Sequence, residues 1–386
     1  MILTRYLYDK DEVELSFITA LLSDTSLDEC LYWIFEYHYS GYDTIQLLWK
    51  VYSDFYAIYY PKLESWIKTR QDLFIQPDSK QINIIGDIVR NLYKKSFSSH
   101  VFLMRQYCQY LSNHKCSFPK NRGRKYKWLT NYNAKYHTLL SFIHKKHYEG
   151  ICHALLSMTL DDELYYTLID YFRTIQNIEF INETRIKRKW ESKKKYYSDI
   201  QHNFLTLIVY LLEDERNINQ KNMFILANQS HIDQVLKTNS PLPLNPKYNT
   251  MQNYYTLDHR RLYSIHDTIG SFRLSRFEFP NHETYVREIW LHWEYYVWYS
   301  SLWRERLKGN TVDHESRKIL FTNDDIMEQF YQQYGYELDE RPKRIQDMSL
   351  KELNNTSWKA WYDSVLSRAK NVFPDIPFPK DFQFYI

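Results

Sequence analysis

The chain has 386 residues, a net charge of +3 and 7 glycines in all, where glycine averages about 7% of an ordinary domain. Such scarcity argues against the glycine-rich loops that cradle phosphates and dinucleotides, and against an all-β fold with many tight turns. Four cysteines (Cys30, Cys108, Cys116, Cys152) are too few for a disulfide scaffold and read as reduced thiols in an intracellular protein.

No apolar signal core lies in residues 1–13. The longest apolar run, Phe204–Leu212, is too short to span a bilayer. A first helix is expected over 12–23. Ser26 and Glu29 then form a capping-box pair. After them Leu27, Cys30, Leu31, Ile34 and Phe35 recur at helical spacing, and His38 continues that face as a partly buried histidine. Gly41 supplies the left-handed residue that ends the helix. The next helix carries two apolar stripes: Ile45, Leu48, Trp49, Tyr52, Tyr56 and Tyr59 on one, Leu47, Val51, Phe55 and Ile58 on the other. A helix apolar on two sides must be covered on two sides. Pro61 closes it.

Further helices are expected near 62–73, 80–95, 99–112, 130–147, 151–158 and 162–176. One long helix is expected over 184–213, with Tyr197, Ile200, Phe204, Ile208 and Leu211 as its stripe. Residues 239–280 break the pattern with Pro241, Pro243, Pro246 and several asparagines. A helix dense in tryptophan (Trp290, Trp293, Trp298, Trp303) covers about 283–307, with Gly309 just beyond it. Short helices follow near 324–334, 350–354 and 357–368, the second opened by the Ser349–Glu352 spacing. The tail from Pro374 reads as extended. The expected fold is all-α: a layered or solenoid-like helical domain over 1–238, an irregular connector over 239–280, and a smaller aromatic-rich helical domain over 281–386.

Charge is distributed unevenly. Residues 88–148 hold 13 Lys and Arg and no acidic residue, so the remainder of the chain carries −10. The densest part is Lys120, Arg122, Arg124, Lys125 and Lys127, with Tyr126 and Trp128 among them. A second cluster is Arg185, Lys187, Arg188 and Lys189, followed by Trp190. Cations neutralise phosphates and release counterions, and interleaved aromatics stack on unpaired bases. These residues are the candidate nucleic-acid contacts. A solvated surface, or a dock for an acidic protein, accounts for the same charge.

Other constellations are weaker. Cys108, His114, Cys116, His137, His144, His147, Cys152 and His153 crowd one region, yet lack the CxxC spacing of a zinc site. Asp258, His259, Arg260, Arg261, His266 and Asp267 offer acid–base groups without a nucleophile. Asp161, Asp162 and Glu163 suit a helix N-terminus. Tyr42, Leu47 and Leu48 match the YxxxxLΦ pattern by which translation-initiation scaffolds grip a cap-binding protein, but the same residues serve the helix core.

Several stretches resemble an uncharacterised protein family of giant, nucleocytoplasmic large DNA viruses. They are YDKDEVELSFITALL, SLDECLYWIFEYHYSGYD, LYSI (262–265), FRLSRF (272–277), LWRER (302–306) and YGYELDE (334–340). The resemblance implies a viral source and a place in the host cytoplasm, the viral factory or the virion; it transfers no catalytic residue. Abundant Tyr, Asn, Ile and Lys fit an A/T-rich genome.

Taken together, the residues point to a non-enzymatic helical scaffold that binds RNA or DNA without strong sequence preference. No cofactor, metal or membrane is implied, and other viral or host proteins are further expected partners. Two alternatives stand beside this reading: a protein–protein scaffold, virion component or adaptor for virus-directed translation or transcription, and an enzyme acting on nucleic acid.

Overall fold

In a computed structural model the protein is mostly helical, with one small two-stranded sheet among the described residues. The structure describes residues 1–23, 25–74, 78–119, 126–178, 183–213, 224–239, 262–334, 350–370 and 374–386.

Helix α1 (Lys10–Ser23) is buried along most of its length, Glu12 and Glu14 included. It packs on α2 (Leu27–Tyr39). Ser26 caps α2, its Oγ accepting from the Glu29 amide at 3.1 Å, and the stripe Leu27–Phe35 is buried as its spacing predicts. Gly41 ends this unit at φ +87°. Helix α3 (Thr44–Val51) runs directly into a π-helical turn, Tyr52–Tyr56. Both of its apolar stripes are buried. The π turn faces Asp54 inward, where Arg105 grips it with two bonds of 2.9 and 2.7 Å. His202 Nε2 lies 3.0 Å away. Burial works against the Asp54 charge, but Arg105 and His202 outweigh it and hold the carboxyl below its usual range.

Helices α4 (Leu63–Leu73), α5 (Asp78–Leu92) and α6 (His100–Asn113) follow at nearly the expected places, α7 (His137–His144) fills only the later part of the helix expected over 130–147, and α8 (Tyr148–Leu156) and α9 (Asp162–Thr174) again lie close to expectation. The long helix expected over 184–213 is instead two, α10 (Glu183–Tyr196) and α11 (Ile200–Leu212). Asp199 causes the break: its side chain accepts from the His202 amide at 2.9 Å and starts a new helix. Ile200 consequently leaves the stripe and is exposed. Helix α12 (Gln229–Asn239), which the apolar pattern does not announce, packs on α2 and α5.

Beyond residue 261 the chain returns to the N-terminal half. Helix α13 (His282–Val297) kinks at His292, and α14 (Ser301–Arg306) follows as a separate turn, in place of one helix over 283–307. Strands β1 (Thr311–Asp313) and β2 (Lys318–Leu320) form an unexpected antiparallel hairpin before α15 (Asp324–Tyr334). Residues 350–356 are not helical, contrary to expectation, and α16 (Trp358–Ser364) comes after them.

The boundary expected at 239–280 is not a boundary in packing. The described parts of both expected domains share one core. The Leu3 amide donates to Tyr296 O at 3.0 Å. Trp303 Nε1 donates to Arg5 O at 2.9 Å, and Trp361 Nε1 to Thr19 Oγ1 at 2.9 Å. Arg276 pairs with the buried Glu12, and the Tyr285 hydroxyl donates to Asp9 at 2.8 Å. The tail inserts Phe382 and Phe384 into the core. Pro241, Pro243 and Pro246 lie outside the described residues.

Candidate nucleic-acid interface

The polypeptide between α6 and α8 builds the most aromatic part of the basic segment. A continuous helix over 130–147 is not formed. Asn133 interrupts it, its side chain accepting from the Lys135 amide at 3.2 Å. Two 3-10 turns (Lys127–Asn131 and Ala134–Tyr136) precede α7 instead. Leu129 and Tyr136 anchor these turns in the core, which leaves Tyr126, Trp128 and Tyr132 half-buried at the surface.

Those rings form one cluster. Tyr126 and Trp128 stack at 5.4 Å with 20° between their planes. His144 closes on Tyr126 at 4.5 Å and on Trp128 at 5.3 Å. Tyr171 of α9 lies beneath, 5.2 Å from Trp128. Burial, then the neighbouring Lys145 charge, holds the His144 pKa down, so its ring stays neutral near pH 7.

Cations rim the cluster. Lys127, Lys145 and Lys146 are exposed. The end of α7 displays the last two. The His147 amide donates to Phe142 O at 2.9 Å and the Lys146 amide to Ile143 O at 3.0 Å, the bond pair of a Schellman cap. Lys146 occupies the left-handed position usually taken by glycine, at φ +51°.

Helix α9 separates this cluster from the second basic cluster, and the acids at its start are engaged. Asp161 accepts from the Leu164 amide at 2.8 Å. Lys135 pairs with Glu163 at 2.7 Å, and Lys194 with Asp162 at 2.8 Å. On α10 the side chains of Lys187 and Arg188 are exposed.

Trp190 requires a correction. It is buried, stacks on Tyr165 at 4.4 Å, and donates from Nε1 to Asp162 at 2.7 Å. Its face serves the core and gives no surface platform. Arg105, counted in the basic segment, is likewise internal, bound to Asp54. Lys120, Arg122, Arg124 and Lys125 lie outside the described residues, as do the side chains of Arg185 and Lys189.

The cysteines and histidines of this region have separate engagements. Cys108 and Cys152 are buried free thiols, and Cys116 is exposed. The His147 ring caps α8 at the Gly150 amide, while His137 bonds to Tyr132 O and His114 to Tyr110 O. Asp258, His259, Arg260 and Arg261 lie outside the described residues; His266 pairs with Glu29 and Asp267 with Lys351. Leu47 and Leu48 are buried and Tyr42 bonds to Leu3 O, so the YxxxxLΦ residues serve the core. Among the described residues the one group of three carboxylates close enough to share a metal ion is Asp9, Asp11 and Glu12. The Ser275 amide, Arg276 and Tyr285 already bind them. No helix among the described residues is long and apolar enough to cross a membrane. Comparison of the chain with family models, curated proteins and solved structures finds no match.

Proposed function

We propose that this protein is a non-enzymatic helical scaffold that binds single-stranded nucleic acid with little sequence preference. On the resemblance noted above, its source is a large DNA virus and its place the host cytoplasm, viral factory or virion. One observation carries the binding reading: the half-buried cluster of Tyr126, Trp128, Tyr132 and His144 is rimmed by exposed Lys127, Lys145 and Lys146. Aromatic rings accept any base by stacking, at about 1–3 kcal/mol per base, and lysines follow the backbone. On α9, Asp161 caps the helix and Glu163 pairs with Lys135, whereas the exposed Asp170 lies against Tyr132 and sets a negative charge at that edge of the cluster.

Titration of RNA and DNA oligonucleotides at rising salt tests it. Affinity should fall steeply with salt, each phosphate contact adding about −0.7 to the log–log slope for single strands. Removing Lys145 and Lys146 together, by Lys145→Ala and Lys146→Ala, should shallow that slope by roughly 1.4. Binding indifferent to salt, or none at low salt, contradicts the reading.

A second reading rests on a different face. Trp290 and Leu291 on α13, Leu320 on β2, and Ile326 and Met327 on α15 are exposed apolar residues on elements packed through Trp293, Phe321 and Phe330. Such patches mark protein contacts. A stable complex that survives nuclease and is lost in Leu291→Glu would favour a protein–protein scaffold.

A further inference from the structure

Asp9, Asp11 and Glu12 stand at the start of α1, where the helix dipole favours acids. The dipole accounts for acids on the surface of a first turn. It does not account for two of them beneath the fold: Asp9 and Glu12 are fully buried, and Asp11 is half-buried. One oxygen of each residue lies within 4.8 Å of one oxygen of both others. These three carboxylates meet a single guanidinium, that of Arg276 beside Glu12, so the ionised cluster keeps an excess of two negative charges. The Met1 amino group adds only the smallest of the pulls on Asp11. Left bare, the cluster resists its own charge. Burial, then the charges of Glu12 and Asp11, push the Asp9 carboxyl well up, and burial lifts Glu12 to about 7 against the pull of Arg276.

The hydrogen bonds already made do not use these groups up. Tyr285 donates to Asp9 Oδ2 at 2.8 Å, the Ser275 and Glu12 amides donate to the two oxygens of Asp11 at 2.7 Å each, and Arg276 donates to Glu12 Oε1. Asp9 Oδ1 and Glu12 Oε2 are buried without any hydrogen-bond partner. Native folds seldom leave such acceptors empty-handed, and here both belong to one cluster with charge to spare. Meanwhile Ser275, Arg276 and Tyr285 orient the carboxylates from behind, as the outer partners of metal-binding carboxylates do. The donor chemistry selects the ion. With oxygen alone on offer, and no His or Cys, the cluster suits hard cations. Calcium–oxygen bonds are about 2.4 Å, so oxygens on opposite sides of a calcium ion stand about 4.8 Å apart. All three carboxylates fall within that span. Magnesium, with bonds of about 2.1 Å, requires them to close to about 4.2 Å. Half-buried Asp11 brings the cluster to the solvent edge, where the ion enters and water completes its coordination.

We propose that Asp9, Asp11 and Glu12 bind a hard divalent cation, calcium in preference to magnesium, which ties the start of α1 to residues 275–285. The site is independent of the nucleic-acid interface. It neutralises the excess charge at the place where the chain beyond residue 261 returns to the N-terminal half.

Calorimetric titration of the chelator-treated full chain with calcium chloride and magnesium chloride tests the site. A single calcium ion per chain should bind with a Kd of about 100 µM or tighter, and magnesium roughly tenfold more weakly. Saturating calcium should raise Tm by a few degrees. Amide exchange on the same samples locates the ion, since protection should appear in residues 9–13 and 275–286. Asp9→Asn keeps an oxygen for Tyr285 and removes a charge, and Asp11→Asn does the same at the solvent edge. Each should weaken calcium binding at least about tenfold and abolish the rise in Tm. The calcium-free Tm of Asp9→Asn should not fall, because the variant removes a buried charge; a merely structural carboxylate would lower it. Should a variant misfold, calcium-dependent protection in the wild-type protein still decides. No calcium binding at millimolar concentration, as a cluster neutralised by shared protons would give, overturns the proposal. So does magnesium bound as tightly as calcium, protection confined to other parts of the chain, or unchanged calcium binding in the folded variants.

Discussion

Two tryptophans with the same sequence context have opposite fates. Trp128 and Trp190 each follow a run of cations, and both read as stacking residues. Trp128 stays half-buried at the surface because 3-10 turns hold its segment at the edge of the core. Trp190 turns inward because Tyr165 and Asp162 of α9 offer its ring and its N–H a better environment than water. Nothing in a basic run states which face its aromatic takes. That depends on partners far along the chain. Two substitutions exploit residue-level detail. Lys146→Gly relieves a left-handed non-glycine residue and removes a cation together. It should be neutral to stabilising, by up to about 1 kcal/mol, while weakening oligonucleotide binding. Thermal melts and a titration on the same sample check this, and opposite signs separate a lost contact from a folding defect. Asp54→Ala leaves Arg105 buried without its carboxylate. It should cost about 3–5 kcal/mol in urea unfolding.

At the scale of elements, periodicity located most helices because an apolar stripe is a local property. The stripes of α2 and of α3 with its π turn are buried residue for residue. Two of the failures share a cause. Asp199 and Asn133 make short-range side-chain bonds to the backbone that end one element and begin another, and an apolar stripe running through them conceals this. Asp199→Ala should cost about 1 kcal/mol of stability, read as a lower urea midpoint. The hairpin β1–β2 was missed because its strands are three residues each and too short to show alternation. Helix α13 makes a pH prediction. Burial lifts the Glu294 carboxyl to about 7, against the pull of a hydrogen bond from Tyr331. The folded state therefore binds the proton more tightly than the unfolded one. Glu294 contributes stability below its ordinary value of 4.5 that is lost as pH rises through about 7. In Glu294→Gln the fall in Tm across that window should be shallower than in the wild type.

Over the whole molecule, the all-α class was legible in the scarcity of glycine and the recurrence of helical stripes. The domain division was not. The Pro/Asn-rich stretch reads as a linker, but the bonds from Trp303 to Arg5, Trp361 to Thr19 and Tyr385 to Gln106 join residues roughly 280 to 340 positions apart, a separation that no local pattern encodes. Gly41 stands at one such junction. At φ +87°, a Cβ there would lie 2.4 Å from Ser301 Oγ. Gly41→Ala should cost at least about 1–2 kcal/mol and loosen α14, visible as faster amide exchange in residues 301–306. The charge asymmetry, legible as 61 residues without an acid, is partly consumed inside the fold, since Arg105 is buried. Its surface remainder at 126–146 holds the proposed function. The most direct test is ultraviolet cross-linking of an oligonucleotide to the full chain, with peptide mapping by mass spectrometry. Cross-links at Tyr126, Trp128 or Tyr132, diminishing as salt rises, are the predicted result. Cross-links confined to other parts of the chain, or none under conditions that label a control binder, would contradict it.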